Sequence, residues 1–288
     1  MIIRGQETVL VQGITGKQGT FWSERMLEYG TAVVGGVNPR RAGERHLGLP
    51  VWSSAVDAAR EQRIDAAVMF VPPMGVKEAA LDLIAAGIGK IVCLTEHVPV
   101  HDTMYILAAA RERGTRIVGP NTAGLVTTGQ CFVGFMPAFN PRIFKPGNVG
   151  VISRSGSLGT LLCLNLVQAG LGISAFVGIG GDPIIGTTTR DALVALDQDP
   201  ATKAIALVGE IGGAMEEEAA EYAATMTKPI AAFIAGAASP PGKKMGHAGA
   251  IVEGNRGSYA GKRAALEEAG VTVSATPGAV PAVLKARL

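Results

Sequence analysis

A histidine in the second half of the chain has a setting that suits nucleophilic catalysis. His247 lies in a run of mostly small residues, 241–250, directly after a strand-like segment. Small neighbours let a loop move and let a bulky anion approach the ring. Imidazole, whose ordinary pKa is about 6.5, is a nucleophile at neutral pH, and its phosphorylation leaves a labile bond. The pattern favours phosphoryl transfer through His247, and the alternative is a histidine that only caps a turn.

Glu210 is the carboxylate that the sequence places best to assist this histidine. It ends a strand-like segment, 204–209, and Ile-Gly-Gly follows at 211–213. Its side chain is therefore expected at the carboxyl edge of a sheet. A carboxylate there accepts the Nδ1 proton of His247 and leaves Nε2 free to attack phosphorus. We take His247 and Glu210 as the candidate catalytic pair.

A short serine-rich segment predicts an anion site for the same chemistry. Residues 153–158, Ser-Arg-Ser-Gly-Ser-Leu, end one strand-like run and open a helical one. Backbone N–H groups and the positive end of the dipole at a helix start hold phosphate or carboxylate. The glycine loop 178–183 also follows a strand, although each loop alone is equally explained as turn chemistry. The candidate phosphate- or acid-binding residues are Ser153, Arg154, Ser155, Gly156 and Ser157.

A second anion-binding pattern lies near the N-terminus. Residues 13–19, Gly-Ile-Thr-Gly-Lys-Gln-Gly, stand between the first predicted strand and helix, where backbone N–H groups meet a phosphate. The second strand is followed by Asn38, Pro39, Arg40 and Arg41 rather than by an acid that would bind a ribose 2′-hydroxyl. Arginine favours a phosphorylated ribose, so the candidates are the 3′-phosphate of coenzyme A and the 2′-phosphate of NADP. The alternative is a structural glycine turn with surface arginines.

The elements that position these residues follow an α/β pattern. Short β-branched runs alternate with amphipathic segments, and the alternation restarts after a Pro- and Gly-rich stretch. Such strands pair in parallel and are covered by helices on both faces. The sequence predicts a first domain over 1–121, a connecting segment over 122–147 and a second domain over 148–288. The predicted strands are 8–12, 32–37, 66–71, 90–95, 116–119, 149–153, 174–179, 204–209, 230–235 and 271–274. The predicted helices are 21–29, 55–61, 75–86, 102–113, 158–169, 188–197, 215–226, 259–269 and 279–288.

The composition excludes several classes of protein. Of 288 residues, 48% are hydrophobic and 17% charged, which suits folded cores rather than disorder. The net charge of +2 is spread along the chain, so we expect no nucleic-acid partner. No apolar run reaches the roughly 20 residues of a membrane span, and the N-terminus lacks the shape of a signal peptide. The three cysteines are widely spaced among apolar residues, which predicts buried thiols, no metal site and a reducing, cytoplasmic location.

Together these motifs resemble the α subunit of succinyl-CoA synthetase and its relatives among the ADP-forming acyl-CoA synthetases. The resemblance runs essentially from end to end. It is carried most specifically by residues 245–250 (Met-Gly-His-Ala-Gly-Ala), 209–213 (Gly-Glu-Ile-Gly-Gly), 178–183 (Gly-Ile-Gly-Gly-Asp-Pro), 153–156 (Ser-Arg-Ser-Gly) and 13–16 (Gly-Ile-Thr-Gly).

The resemblance implies a Rossmann-type coenzyme A-binding domain followed by a flavodoxin-like ligase domain. It also implies a β subunit with an ATP-grasp fold, in an αβ or α2β2 assembly, that holds ATP or GTP with Mg²⁺. His247 would carry the phosphate, Glu210 would orient it, and a carboxylic acid would become an acyl phosphate and then a thioester, as in the tricarboxylic acid cycle. The residues that the resemblance assigns to coenzyme A are Gly13, Thr15, Gly16, Lys17, Gln18, Gly19, Pro39, Arg41, Val71, Pro72, Pro73, Thr95 and Glu96.

Departures from the family pattern leave the acid open. After Leu158 the family reads Thr-Tyr-Glu, whereas this chain has Gly159, Thr160 and Leu161. Loss of a phenol and a carboxylate there would alter which acid fits, so succinate is the starting expectation and malate, citrate or another dicarboxylate the alternative. Two further alternatives are a non-catalytic coenzyme A-binding regulatory subunit and an NADP-dependent enzyme.

Overall fold

A computed structural model describes residues 1–239, 246–252 and 257–288 of the chain. The chain divides into two compact units, one built mainly from 3–139 and one from the described residues of 140–183 and 187–288. Each unit contains a mostly parallel sheet. The predicted α/β fold class is therefore confirmed. No helix within these described ranges is long and apolar enough to cross a membrane.

The first unit has a Rossmann-type sheet. The strands β1 to β7 occupy Val9–Gln12, Val33–Val37, Arg45–His46, Leu49–Trp52, Ala66–Met69, Lys90–Cys93 and Arg116–Val118. Their spatial order is β3-β4-β2-β1-β5-β6-β7, and all pairs are parallel except β3 with β4. The chain order reverses between β2 and β5, on either side of β1. Ligands of such sheets bind beyond the carboxyl ends of the strands at this reversal.

Four helices and a hairpin complete the first unit. The helices α1 to α4 occupy Lys17–Tyr29, Ala55–Glu61, Val76–Ala85 and Val100–Arg113. The strands β8 and β9, Gly124–Thr127 and Cys131–Gly134, pair as an antiparallel hairpin. They lie in the segment 122–147 that the sequence predicted as a connection. Residues 122–139 belong to the first unit and 140–147 to the second.

The second unit has a flavodoxin-type sheet. The strands β10 to β14 occupy Pro146–Ser153, Ile173–Gly178, Ala204–Glu210, Ile230–Ala235 and Thr272–Ser274. Within this unit they lie side by side in the order β14-β13-β12-β10-β11, with parallel pairing throughout. The helices α5 to α9 occupy Gly156–Gln168, Thr189–Asp197, Met215–Ala223, Tyr259–Glu268 and Val280–Lys285. The chain order reverses beside β10, which places β10 and β12 at the expected binding edge.

The central strands are buried on both faces. All seven residues of β12 are buried, as are the last five of β10, which is what helices on both sides of a parallel sheet require. Cys93, Cys131 and Cys163 are free thiols in these cores. Burial raises the pKa of the Cys131 thiol to about 11 and raises that of Cys163 as well. These side chains therefore pack as small hydrophobic residues at neutral pH.

Candidate active site

The carboxyl end of β12 places Glu210 against His247. Nδ1 of His247 lies 2.7 Å from Oε2 and 3.0 Å from Oε1 of Glu210. A carboxylate only accepts hydrogen bonds, so the proton of a neutral ring is assigned to Nδ1 and Nε2 keeps its lone pair. The Glu210 side chain is 10% exposed and that of His247 26% exposed. The pair is thus held in the protein but open on one side.

Gly181, on the glycine loop after β11, supplies the surface on which the His247 ring rests. A Cβ at Gly181 would lie 2.5 Å from Cγ and 2.6 Å from Nδ1 of His247. The ring therefore packs directly on the glycine backbone. The glycine loop is joined to the His247 segment by a hydrogen bond from Gly249 N to Gly181 O (3.0 Å). Within the His247 segment, Ala250 N donates to His247 O at 3.2 Å. Residues 241–245, which the sequence assigned to the same loop, lie outside the described residues.

The start of α5 faces the same site. Ser155 is the N-cap, and its hydroxyl accepts a long hydrogen bond from Leu158 N (3.4 Å) and lies 3.2 Å from the Ser157 hydroxyl. Ser153 Oγ donates to Ser155 O at 2.6 Å and fixes the turn. The first N–H groups of a helix lack intrahelical acceptors and carry the positive end of its dipole. This helix start is therefore suited to an anion.

The start of α5 and the pair of His247 and Glu210 share one cavity of about 290 Å³. It brings together Ser155, Ser157, Glu210 and His247 of the predicted site. Ser153 and Gly156 are not among the described residues that line it, and neither are Thr160 and Leu161, where the chain departs from the family. The remaining lining residues are Leu158, Ile211, Ala235, Gly236, Gly246 and Ala250.

Arg154 lies behind the catalytic pair rather than in this cavity. Its side chain is 1% exposed, and Nη2 lies 3.2 Å from Oε1 of Glu210. Nη1 donates to the backbone oxygen of Gly212 at 3.2 Å. Arg154 was predicted as an anion ligand; in the structure it contacts the Glu210 and Glu216 carboxylates and lines a separate cavity of about 570 Å³. Its position favours a role in orienting Glu210.

A separate cavity of about 420 Å³ lies in the first unit, at the carboxyl ends of β1, β2 and β5. Among the predicted coenzyme A residues it is lined by Gly13, Pro39, Val71 and Pro72. Gly13 has φ of +80°, and a Cβ there would lie 2.4 Å from Phe70 O. Only glycine fits this turn without strain. The place corresponds to the reversal in strand order where ligands of Rossmann sheets bind.

The other predicted residues of this unit stand around the cavity or hold its loops. Thr15 Oγ1 accepts from Asn38 Nδ2 at 2.5 Å, and Thr95 Oγ1 donates to Val71 O at 2.7 Å. Glu44 contacts Arg41 at 2.6 Å and raises the pKa of its guanidinium. Thr15, Thr95 and Arg41 are not among the described residues that line the cavity. The same is true of Gly16, Lys17, Gln18, Gly19, Pro73 and Glu96, of which Gly19 is buried and Lys17, Gln18 and Glu96 are exposed.

Sequence reasoning missed several residues at both sites. In the first unit, Asp82 Oδ2 accepts from Gln12 Nε2 (3.1 Å) and from Ala55 N (2.6 Å) at the wall of the cavity. In the second unit, Glu216 and Lys262 are a fully buried pair, and Glu216 Oε1 lies 3.6 Å from Arg154 Nη1. Each lies inside or at the start of an amphipathic helix, where Asp, Glu and Lys are normally solvated. The sequence pattern therefore carried no signal for them.

Family models match both units of the chain. The model described as a CoA binding domain matches residues 5–97, and the model described as CoA-ligase matches residues 152–272. Among curated relatives, the α subunit 2 of succinate–CoA ligase (ADP-forming) from Archaeoglobus fulgidus is 48% identical over 96% of both chains. A subunit of ADP-forming sulfoacetate–CoA ligase from Bilophila wadsworthia is 42% identical over 100% of this chain and 99% of that one.

A solved structure has the same fold over the whole chain. It is ATP citrate lyase from Methanosaeta concilii in complex with (3S)-citryl-CoA, with a TM-score of 0.91 and 25% sequence identity. The match covers 100% of this chain and 51% of the lyase chain. The present chain therefore spans about half the length of that enzyme.

Proposed function

The chain belongs to the family of α subunits of ADP-forming acid–CoA ligases, and we propose that it joins a dianionic carboxylic acid to coenzyme A through phosphorylated His247. The proposal is carried by one observation, the Glu210 carboxylate on Nδ1 of His247 in a cavity shared with the start of α5. That contact leaves Nε2 as the nucleophile. The 48% identity to a succinate–CoA ligase α subunit supports the reaction class.

His247 acts twice in the proposed reaction. Nε2 attacks the terminal phosphorus of the nucleotide, so that an N–P bond forms, a P–O bond breaks and the diphosphate leaves. The acid carboxylate then attacks the same phosphorus, which releases the imidazole and yields an acyl phosphate. Because a free carboxylate is a poor electrophile, this activation precedes thioester formation. Glu210 keeps the proton on Nδ1 and stabilises the positive ring as phosphate is gained.

The start of α5 is proposed to hold the phosphoryl group. Ser155, Ser157 and Leu158 line the cavity with His247, and the N–H groups of a helix start stabilise anions. Ser153 supports the turn from behind. Gly156 contributes its backbone to the same helix start. These assignments rest on the shared cavity and on the general chemistry of helix N-termini.

The first unit is proposed to bind coenzyme A, with the domains assigned as 1–121 for coenzyme A and 148–288 for the ligase chemistry. Coenzyme A supplies the thiol, which attacks the acyl carbon of the acyl phosphate, so that a C–S bond forms, the C–O bond breaks and phosphate leaves. The cavity beside Gly13 fits part of such a ligand, because pockets of 300–1,000 Å³ hold drug-sized molecules and this one is about 420 Å³. Arg41 would exchange Glu44 for the 3′-phosphate. Calorimetry should show binding of coenzyme A and none of NADP; the opposite result would favour the alternative of an NADP-dependent enzyme.

A partner β subunit is proposed to bring the nucleotide. The relatives are named as subunits of ADP-forming ligases, which supports a heteromer. By family resemblance the partner has an ATP-grasp fold and holds ATP or GTP with Mg²⁺. Mass measurement of the purified pair would distinguish an αβ heterodimer from an α2β2 heterotetramer.

The acid is tested by a panel. Relatives at 48% and 42% identity are named for succinate and for sulfoacetate, and both of these acids carry two negative charges. Thioester formation should be measured with succinate, sulfoacetate, malate and citrate, and with the monoanion acetate, at matched concentrations. We expect turnover with a two-carbon or four-carbon dianion. Turnover with acetate equal to that with every dianion would contradict the proposed substrate class, and no thioester with any acid would favour the regulatory-subunit alternative.

A side chain at Gly181, on which the His247 ring packs, should lower activity. Gly181→Ala places a methyl group 2.5 Å from Cγ of His247, so the ring must shift. Misplacement by about 1 Å costs roughly a hundredfold in rate, and we expect kcat to fall about 10–100-fold with coenzyme A affinity retained. The matched control is Gly278→Ala, where the nearest atom to the added Cβ is 3.9 Å away. Equal kcat for the two variants would contradict the packing of the ring on Gly181.

A further inference from the structure

Behind the catalytic pair, the described residues form a buried ion network. We define it as Arg154, Glu210, Glu216, Glu217 and Lys262. Arg154 lies between two carboxylates, with Nη2 at 3.2 Å from Glu210 Oε1 and Nη1 at 3.6 Å from Glu216 Oε1. Lys262 donates to Glu216 Oε2, and to Glu217 Oε2 at 3.0 Å. The network runs from α8 through α7 to the ends of β10 and β12.

Its inner members are withdrawn from water. The side chains of Glu216 and Lys262 are 0% exposed, and that of Arg154 is 1% exposed. Removing charges from water costs several kcal/mol per ion, and a buried ion pair is often no more stable than apolar residues of the same volume. Stability alone therefore gives no reason for such a cluster in a core, whereas fixing a geometry does.

The Glu216 carboxylate reaches the end of β12 because residue 209 is a glycine. Gly209 precedes Glu210 on β12, and a Cβ there would lie 2.7 Å from Glu216 Oε1 and 2.8 Å from Glu216 Cγ. The absence of a side chain at Gly209 makes room for the carboxylate. Glu216 Oε1 then accepts the backbone N–H of Glu210 at 3.3 Å. The Glu216 side chain thus contacts the backbone of Glu210 directly and the side chain of Glu210 indirectly, through Arg154.

We propose that Lys262 and Glu216 are positioning residues for phosphoryl transfer. Lys262 holds the Glu216 carboxylate, Glu216 holds the Arg154 guanidinium and the Glu210 backbone, and Arg154 fixes the Glu210 carboxylate on Nδ1 of His247. The inference rests on the proposed function of His247. Among the described residues that line the cavity of about 290 Å³, neither Lys262 nor Glu216 is found, so we assign both a role through other residues.

Removal of one charge from the network should disturb the contact between Glu210 and His247. Without Lys262, Glu216 keeps Arg154 as its remaining buried cation, and the guanidinium is drawn from Glu210 towards Glu216. With Glu216→Gln, Arg154 loses one of its two carboxylates and the Glu210 backbone loses a charged acceptor. In the first case Arg154 moves away from Glu210, and in the second it moves towards Glu210 and competes with Nδ1 for that carboxylate, so both changes disturb the contact between Glu210 and Nδ1. The His247 ring then divides between its Nδ1–H and Nε2–H forms, and only the Nδ1–H form has a nucleophilic Nε2.

The test measures the His247 tautomer and the kinetics of the same proteins. The full chain, labelled with ¹⁵N-histidine, gives the tautomer from the two ring-nitrogen shifts, and a His247 variant assigns the signals. We expect mainly Nδ1–H in the wild type and a mixture in Glu216→Gln and Lys262→Met. With the partner subunit, kcat should fall about tenfold or more, as for other orienting groups, while KM for acid and coenzyme A stays within about twofold. Glu216→Gln keeps the shape of the side chain and carries the test if Lys262→Met does not fold.

A matched control lies next to Lys262 on the same helix. Arg263 pairs with Glu267 at 2.9 Å, but its side chain is 50% exposed, and exposed pairs contribute little. Arg263→Met should leave tautomer and kcat unchanged. A wild-type tautomer and kcat in Glu216→Gln, with only a lowered Tm, would overturn the inference. Failure of the proposed function would give a different result. His247 of the wild type would then never be phosphorylated, although its tautomer would still change in Glu216→Gln.

Discussion

Replacing His247 by asparagine will abolish thioester formation. Asparagine retains polarity and approximate size but has no nitrogen able to carry a phosphoryl group, so the first covalent step cannot occur. Loss of a nucleophile costs at least about a thousandfold in kcat. Coenzyme A binding should persist, because the proposed coenzyme A cavity is built by the first unit. The measurement is the rate of thioester formation by the chain with its partner subunit.

His101→Asn is the control for the His247 variant. His101 lies near the start of α4 and is exposed, so its replacement should leave the rate unchanged. An unchanged Tm for both variants would show that the comparison concerns chemistry rather than folding. Thioester formation by His247→Asn at the wild-type rate would remove the proposed mechanism.

Glu210→Gln will have the second largest effect. The amide has the size of the carboxylate but also offers an N–H donor to Nδ1, which favours the Nε2–H ring and removes the lone pair from the attacking nitrogen. Loss of the charge also removes the stabilisation of the positive ring. An orienting carboxylate of this kind is worth about 10²–10⁴ in rate, and we expect kcat to fall in that range.

The matched control for Glu210 is Glu221→Gln on α7. Glu221 is exposed, so the Glu221→Gln variant should retain full kcat. The kinetic measurement should be paired with the extent of His247 phosphorylation after a single addition of nucleotide. If Glu210→Gln is phosphorylated as fast as the wild type, the contact between Nδ1 and the carboxylate has no role in the first step.

Most of the fold could be predicted because local pattern and tertiary structure agree. Buried parallel strands such as β1 and β12 are continuous apolar runs up to their last residues, Gln12 and Glu210, and short runs of this kind between turn residues are typical of a sheet covered on both faces. The elements that were missed lack this pattern. β3 has two residues, and β4 contains Pro50. The hairpin of β8 and β9 turns through Gly129 with φ of +77° in a stretch whose Pro and Gly content suggested a connection.

The contents of the sites were predictable only in part. Glu210 and Ser155 stand at strand ends, and parallel strands bring their carboxyl ends to one edge, so the sequence alone placed them together. The Glu216–Lys262 pair depends on how α7 and α8 pack, which no spacing along the chain encodes. The pairing of Arg41 with Glu44 could not be predicted either. It depends on the directions of the side chains in the turn after β2, which the sequence of that turn does not specify.

Labelling of His247 tests the central claim most directly. The chain, purified with its partner subunit, is incubated with ATP labelled at the γ-phosphate and then digested, and the labelled peptide is identified. We predict a label that is lost in acid, retained in base, located on His247 and discharged when acid and coenzyme A are added. Active enzyme that forms thioester at full rate while His247 never carries label would contradict the account.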